Sequence, residues 1–426
     1  MTRRISLVAA CVAFLAIGSP LPAYASVNIS ISCSSLGIEL ELCRDGANAW
    51  AKQTGNSVKL VPTPPDANER LALYQQLLAA GSADIDIFQI DVVWPGTLAN
   101  HFIDLKPYAP AHELNDHFGT LVSNDTIEGK LVAIPFFVDA GLLYYRRDLL
   151  EKYGKQPPRD WAELTETAKS ILDAEHSSNG QLQGFVWQGR AYEGLACNSI
   201  EWIASFGGGG IVETDGTISI NNPRAAAAIT LAKSWIGTIS PEGVLNYAEE
   251  DARGVFQSGN AIFMRNWPYA WALANAEDSP VKGKVGIAIL PQGTGEGARH
   301  AAALGGQQLA VSKYSAHPKE AVDLVLYLTG AAEQKRRAIK GSFNPTRKSL
   351  YSDRELLKAL PFLKDFEATL ENAVARPSSV TGTSYNRVSS EFVRAVHNTL
   401  TGQGTAEENL AALEKMLQRT SRGGRW

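Results

Sequence analysis

The chain has 426 residues, 45% of them hydrophobic and 20% charged, with a formal net charge of −4. This is the composition of a water-soluble globular protein: it excludes a disordered, collagen-like or disulfide-miniprotein chain, and the length allows two or three compact units. Without a basic cluster there is no electrostatic footprint for nucleic acid.

At the start of the chain, Arg3 and Arg4 form a positive region, residues 5–17 an apolar one, and Ala23-Tyr24-Ala25 a small-x-small cleavage site. These features predict a signal peptide over 1–25, a mature chain starting near Ser26 and a periplasmic location. No later stretch approaches the roughly 18–20 consecutive apolar residues of a membrane span. Export permits disulfides, and with Cys11 in the leader only Cys33, Cys43 and Cys197 remain. Cys33 and Cys43 are close enough to close a small loop, whereas Cys197 sits in an apolar stretch as a packed free thiol.

Residues 28–32 alternate as a strand and 39–52 read as a helix. Asp66 is placed to cap a helix with Leu71, Tyr74, Leu77 and Leu78 on one face, ending near Gly81. Residues 85–90 form a short strand that empties into Asp91-Val92-Val93-Trp94-Pro95-Gly96. Asp91 and Trp94 therefore stand at the carboxyl end of a strand, where open α/β sheets bind ligands. Residues 131–137 read as a strand feeding Asp139-Ala140-Gly141, and Asp160-x-x-Glu163 as a capping box. Asn222-Pro223 starts another helix. Residues 285–290 are strand-like, 318–328 helical, and Thr405-x-x-Glu408 opens a last amphipathic helix. Strands alternating with helices predict an α/β protein with mainly parallel sheets. With no short-period repeat and no low-complexity linker, two lobes joined by ordered crossovers are expected.

Seven histidines are scattered, with no HExxH and no CxxC, so no metal site is expected. There is no G-x-S-x-G elbow, Walker A loop or GxGxxG after a strand, and hence no sign of a cofactor. The run Gly207 to Gly210 lacks the Lys-Ser/Thr of a phosphate cradle and reads as a flexible turn. Aromatics cluster beside carboxylates and arginines at Trp94 with Asp91, at Phe136 and Phe137 with Asp139, in Trp187-Gln188-Gly189-Arg190-Ala191-Tyr192-Glu193-Gly194, and in Arg265-Asn266-Trp267-Pro268-Tyr269-Ala270-Trp271. Flat rings stack on the C–H face of a sugar while carboxylates and guanidinium groups satisfy its hydroxyls, so these clusters suit a neutral polyhydroxylated ligand. The 44 acids also leave room for a secreted glycoside hydrolase using paired carboxylates.

The chain resembles the solute-binding proteins of ABC sugar importers, in the trehalose/maltose-binding branch. The likeness is carried by Asp86-Ile-Phe-Gln-Ile-Asp91-Val-Val-Trp94, Asp139-Ala-Gly-Leu-Leu-Tyr-Tyr-Arg146, Gly184-Phe-Val-Trp-Gln-Gly189, Arg265-Asn-Trp-Pro-Tyr-Ala-Trp271, Leu304-Gly-Gly306, and Glu371-Asn-Ala-Val374 with Arg376-Pro377. It implies a two-lobed periplasmic-binding-protein fold, each lobe a mainly parallel sheet flanked by helices. Lobe 1 would comprise 26–142 and 305–349, and lobe 2 143–304 and 350–426. The implied function is capture of a trehalose-, maltose- or sucrose-like disaccharide by hinge closure, followed by delivery to the membrane permease subunits. The protein would be a monomer without catalysis; a same-fold receptor for an oligosaccharide or polyol is the neighbouring possibility. Carried over by position, Glu39 (with Glu41 as a register alternative), Arg70, Asp91 and Trp94 resemble one lobe's sugar contacts, and Asp139 and Gly305 contacts near the hinge. Trp267, Tyr269, Arg376 and Tyr385 resemble the opposite wall. Gln307 stands where relatives often carry tryptophan, and Phe137 where a tyrosine can stand, so the accepted linkage is expected to differ.

Overall fold

In the computed structural model, which describes residues 26–422 and 426, the chain builds two main sheets flanked by helices. The expected leader over 1–25 lies outside the described residues. The strands of these two sheets are, in chain order, β1 (Asn28–Ser34), β2 (Ser57–Thr63), β3 (Ile87–Asp91), β4 (Ile134–Ala140), β5 (Leu142–Arg146), β6 (Gln183–Val186), β7 (Ala261–Asn266), β8 (Val285–Ala288), β9 (Ala302–Val311) and β10 (Ala373–Val374); Thr126–Ile127 and Lys130–Leu131 form a small hairpin apart from them. The helices that matter below are α1 (Glu39–Thr54), α2 (Ala67–Ala79), α3 (Trp161–Glu175), α4 (Glu193–Ser205), α5 (Pro223–Trp235), α6 (Pro318–Leu328), α7 (Ala331–Gly341), α8 (Tyr385–Leu400) and α9 (Ala406–Thr420).

The first sheet runs β10-β9-β3-β1-β2, with β4 also paired to β9, and the second runs β8-β5-β7-β6. The two-lobed α/β fold is as expected, but the parallel bias belongs to the first sheet. There β1 pairs parallel with β2 and β3, and β9 with β10. In the second sheet only β6 and β7 are parallel, while β5 is antiparallel to both of its neighbours. Strand β5 follows β4 directly through Gly141, with no helical crossover between the two.

Helix starts follow side-chain chemistry. Asp66 Oδ1 accepts the N–H groups of Asn68 and Glu69 at 2.8 and 3.1 Å, satisfying orphan donors of α2. Asp160 Oδ1 accepts the Glu163 N–H at 2.8 Å, but the returning Glu163 carboxylate takes the N–H of Arg159, one residue upstream. Thr405 and Glu408 form the reciprocal box at α9, and Asn222 caps α5 with Pro223 inside the first turn.

The hydrophobic core runs through both sheets, and a second cluster packs around Tyr74, Phe88, Trp94 and Phe102. Trp161, Trp187, Trp202 and Trp235 form a buried chain, with centroid separations of 5.0 Å for Trp187–Trp202, 5.8 Å for Trp202–Trp235 and 5.4 Å for Trp161–Trp235. Trp187, expected from its polar neighbours to offer a stacking face, is therefore core, and its indole N–H donates to Ser240 at 3.1 Å.

Candidate functional site

A cleft of about 630 Å³, counted out to its opening, lies between elements of the two sheets. Strand register builds its first wall. Pairing of β9 with β4 sets Gly305 opposite Asp139, and pairing with β3 sets Gln307 opposite Asp91. A side chain at Gly305 would lie 3.0 Å from the Trp267 ring and 3.4 Å from Asp139 Cβ, so the glycine lets Trp267 close onto the strand. Gly306, at φ +124°, sits beside the register shift between Gln307 and Gln308, and a Cβ there would collide with the Phe137 carbonyl. Glu39 at the start of α1 and Arg70 on α2 complete this side.

The opposite wall comprises Tyr192, Glu193 and Cys197 at the start of α4, with Glu249, Trp267 and Tyr269; Arg376 also borders the cleft. Arg376 joins the walls. Its Nη1 donates to Glu193 at 2.7 Å, and its Nη2 to Asp91 at 3.1 Å and to the Leu304 carbonyl at 3.3 Å. Glu193 is further held by Ser389 Oγ at 2.6 Å and by the Tyr385 hydroxyl. Tyr192 donates to Glu249 at 2.5 Å, and Trp267 Nε1 lies 3.4 Å from the same carboxylate. Tyr269 donates to Glu250 at 2.6 Å.

Electrostatics single out Asp139. Its Oδ1 is buried without a hydrogen-bond partner. Burial first, then the nearby Glu39 carboxylate, raises its pKa well above the ordinary range, against the pull of Arg265. Burial likewise raises Glu39, which accepts from Gln89 Nε2. Arg337 lies 3.8 Å from the Phe136 ring centroid, and burial pulls its guanidinium down to about 10 against the opposing pull of the Glu39 carboxylate. Cys197 is a free thiol that burial pushes up to about 12, so it stays protonated at neutral pH.

Of the residues expected from sequence, Glu39, Arg70, Asp91, Asp139, Trp267, Tyr269, Gly305, Gln307 and Arg376 border this one cleft. Trp94 and Tyr385 do not. Trp94 turns into the second core cluster, edge-on to Tyr74 at 5.9 Å, and carries the Arg70 guanidinium 5.3 Å from its ring centroid. Tyr385, 2% exposed, stands behind Glu193. Cys33 and Cys43 form a disulfide across the β1–α1 connection. Sequence reasoning missed Glu193 and Glu249 as cleft residues. Glu193 lay inside an aromatic cluster as its one acid, between Tyr192 and Gly194, whereas Glu249, in the acidic first turn of its helix, carries no distinguishing signal.

Residues 44–335 match the bacterial extracellular solute-binding protein family. A probable ABC transporter-binding protein of Deinococcus radiodurans is 51% identical over 395 residues, covering 92% of this chain and 94% of its own. Among solved structures, maltose-bound MalE3 of T. maritima has a TM-score of 0.88 at 41% identity, covering 93% of this chain and 100% of that one. The GacH receptor of Streptomyces glaucescens, 22% identical with a TM-score of 0.81 over 93% of this chain and 98% of its own, shares the fold.

Proposed function

The chain belongs to the bacterial extracellular solute-binding protein family, and we propose that it captures an α-linked disaccharide for the permease of an ABC sugar importer in the periplasm. The observation that carries this reading is a cleft pairing the Trp267 and Tyr269 rings with carboxylates, among them a buried Asp139 oxygen that has no donor. Aromatic rings favour the C–H face of a pyranose, and an orphan carboxyl oxygen is answered by a sugar hydroxyl. The likeness to a maltose-bound relative supports the same ligand class. In this reading lobe 1 is 26–142 with 305–349 and lobe 2 is 143–304 with 350–426. Ligand contacts from both lobes stabilise the shut state that the permease recognises.

Thermal-shift and calorimetric titration of the mature protein with trehalose, maltose, sucrose, maltodextrins and polyols tests the proposal, alongside an assay for released glucose. A melting-temperature rise with one or a few α-linked disaccharides and no glucose release is expected. Glucose release would replace capture by hydrolysis. A shift with polyols or longer chains alone would replace the ligand class, and no shift at all would remove sugars as ligands.

A further inference from the structure

Two contacts beside the cleft join its walls, and their side chains do not border the space between them. Asp66, the cap of α2, uses Oδ1 for the helix N–H groups, while its Oδ2 accepts the Arg190 guanidinium. Asn68 Oδ1 accepts the backbone N–H of Glu193 at 3.0 Å. Helix α2 links β2 to β3 of the first sheet, whereas Arg190 and Glu193 lie between β6 and β7 of the second, so both bonds pass from one half of the molecule to the other. The Arg190 guanidinium also rests 4.7 Å from the ring centroid of Tyr192, a cleft residue, which orients it towards Asp66.

We propose that the Arg190–Asp66 pair and the Asn68–Glu193 bond form a clasp that sets ligand affinity from outside the ligand site, with Arg190 and Asn68 as positioning residues. The proposal rests on the sugar-capture reading. Bonds that exist only when the walls meet raise the population of the shut form, and apparent affinity scales with that population. Asp66 adds a local link, because the carboxylate that receives Arg190 also caps the helix whose next residues carry Arg70 into the cleft. The Arg190 side chain is 40% exposed, so solvent screens part of the attraction. The effect is thus several-fold, not orders of magnitude.

The test titrates maltose, by calorimetry at low and high salt, into wild type, Arg190→Gln, Arg190→Glu, Arg190→Lys and Asn68→Ala, with X-ray scattering of each protein alone and saturated. Arg190→Gln should weaken binding up to about fivefold, mainly through faster release, and lose part of the wild-type salt dependence. Arg190→Glu should weaken it further and Arg190→Lys should keep most of it. The ligand-free Gln and Glu variants should be more extended than wild type yet match it when saturated. Wild-type affinity, salt dependence and ligand-free dimensions in both Arg190→Gln and Asn68→Ala would overturn the clasp. If wild type binds no maltose, the ligand-free scattering still decides: a more extended Arg190→Glu supports the clasp, and an unchanged one overturns it. The capture reading is judged separately by the sugar screen.

Discussion

In the proposed capture reading, Asp139 is where ligand binding and stability pull against each other. Burial, then Glu39, raises its pKa in the fold, so the folded chain holds that proton more tightly than the unfolded chain does. Its contribution to stability is therefore neutral below the unfolded carboxylate range, falls as pH rises from about 4, and stays low once the raised value is passed. Asp139→Asn should melt at a higher temperature than wild type at pH 7, by about 1.4 kcal/mol of stability per unit of pKa elevation up to that pH, and the gain should vanish near pH 4. The same variant should bind sugar at least about tenfold more weakly, since its amide offers one acceptor oxygen where the carboxyl group offers two. Melting curves at the two pH values decide it; an equal gain at both would show that the charge is not the cause. Asp91→Ala removes Arg376's charged partner on the first wall and should also cost about tenfold or more in calorimetric affinity; unchanged affinity would place Asp91 outside the site. Residue chemistry made these positions legible in the sequence, because an acid after a strand and an aromatic beside an arginine are local signals. Direction was not legible. Trp94 and Trp187 carry the same local signals as Trp267, yet both turn into cores because tertiary neighbours supply the larger burial.

The β1–α1 connection shows how an element, rather than a residue, presents the site. The Cys33–Cys43 disulfide spans ten positions and encloses Ser34, Leu36 and Glu39, all on the cleft. Within it the Ser34 N–H donates to Gln89 Oε1 at 3.0 Å while Gln89 Nε2 donates to Glu39, so the loop is pinned to β3 as well. Closing a loop of this length limits the unfolded chain by about 3 kcal/mol. The Cys33→Ser/Cys43→Ser variant should lose roughly that much in a denaturant titration and bind sugar more weakly. A fall in the midpoint with intact affinity would make the bridge a stabiliser only. Capped, amphipathic elements such as α2 and α9 were readable from their start signals. Helix α4 was not: it is buried along its whole length, Asn198, Ser199 and Glu201 included, so no 3.6-residue stripe separates an inner from an outer face. Glu193, its first residue, stood in the sequence only as the acid of an aromatic cluster, with no signal that assigned it to the cleft.

At the scale of the molecule, alternating strands and helices predicted two α/β lobes, but no local pattern could specify that β9 lies between β3 and β4, antiparallel to both. That pairing joins segments more than 160 residues apart, and it is where one carboxylate acquires a central position. Glu201 on α4 receives Arg265 through Nε at 2.9 Å and Nη2 at 2.5 Å, with both side chains only 1% exposed. Its Oε1 also accepts the Ala303 N–H of β9 at 3.0 Å. A Cβ on Gly141, between β4 and β5, would overlap the same carboxylate. Glu201 thus touches both routes by which the chain passes between the sheets near residues 141 and 303, while Arg265 backs the Trp267 ring with its Cζ 3.9 Å from the centroid. Glu201→Gln would leave a buried guanidinium without its counter-charge, at a cost of about 3–5 kcal/mol. Gly141→Ala would push the carboxylate aside and give part of the same loss while altering no polar group. Both variants should lower the melting temperature and weaken sugar binding together, because the support of Trp267 and the join between the sheets depend on one ion pair. A Gly141→Ala protein with wild-type melting and wild-type calorimetric affinity would show that the close approach at residue 141 carries neither role.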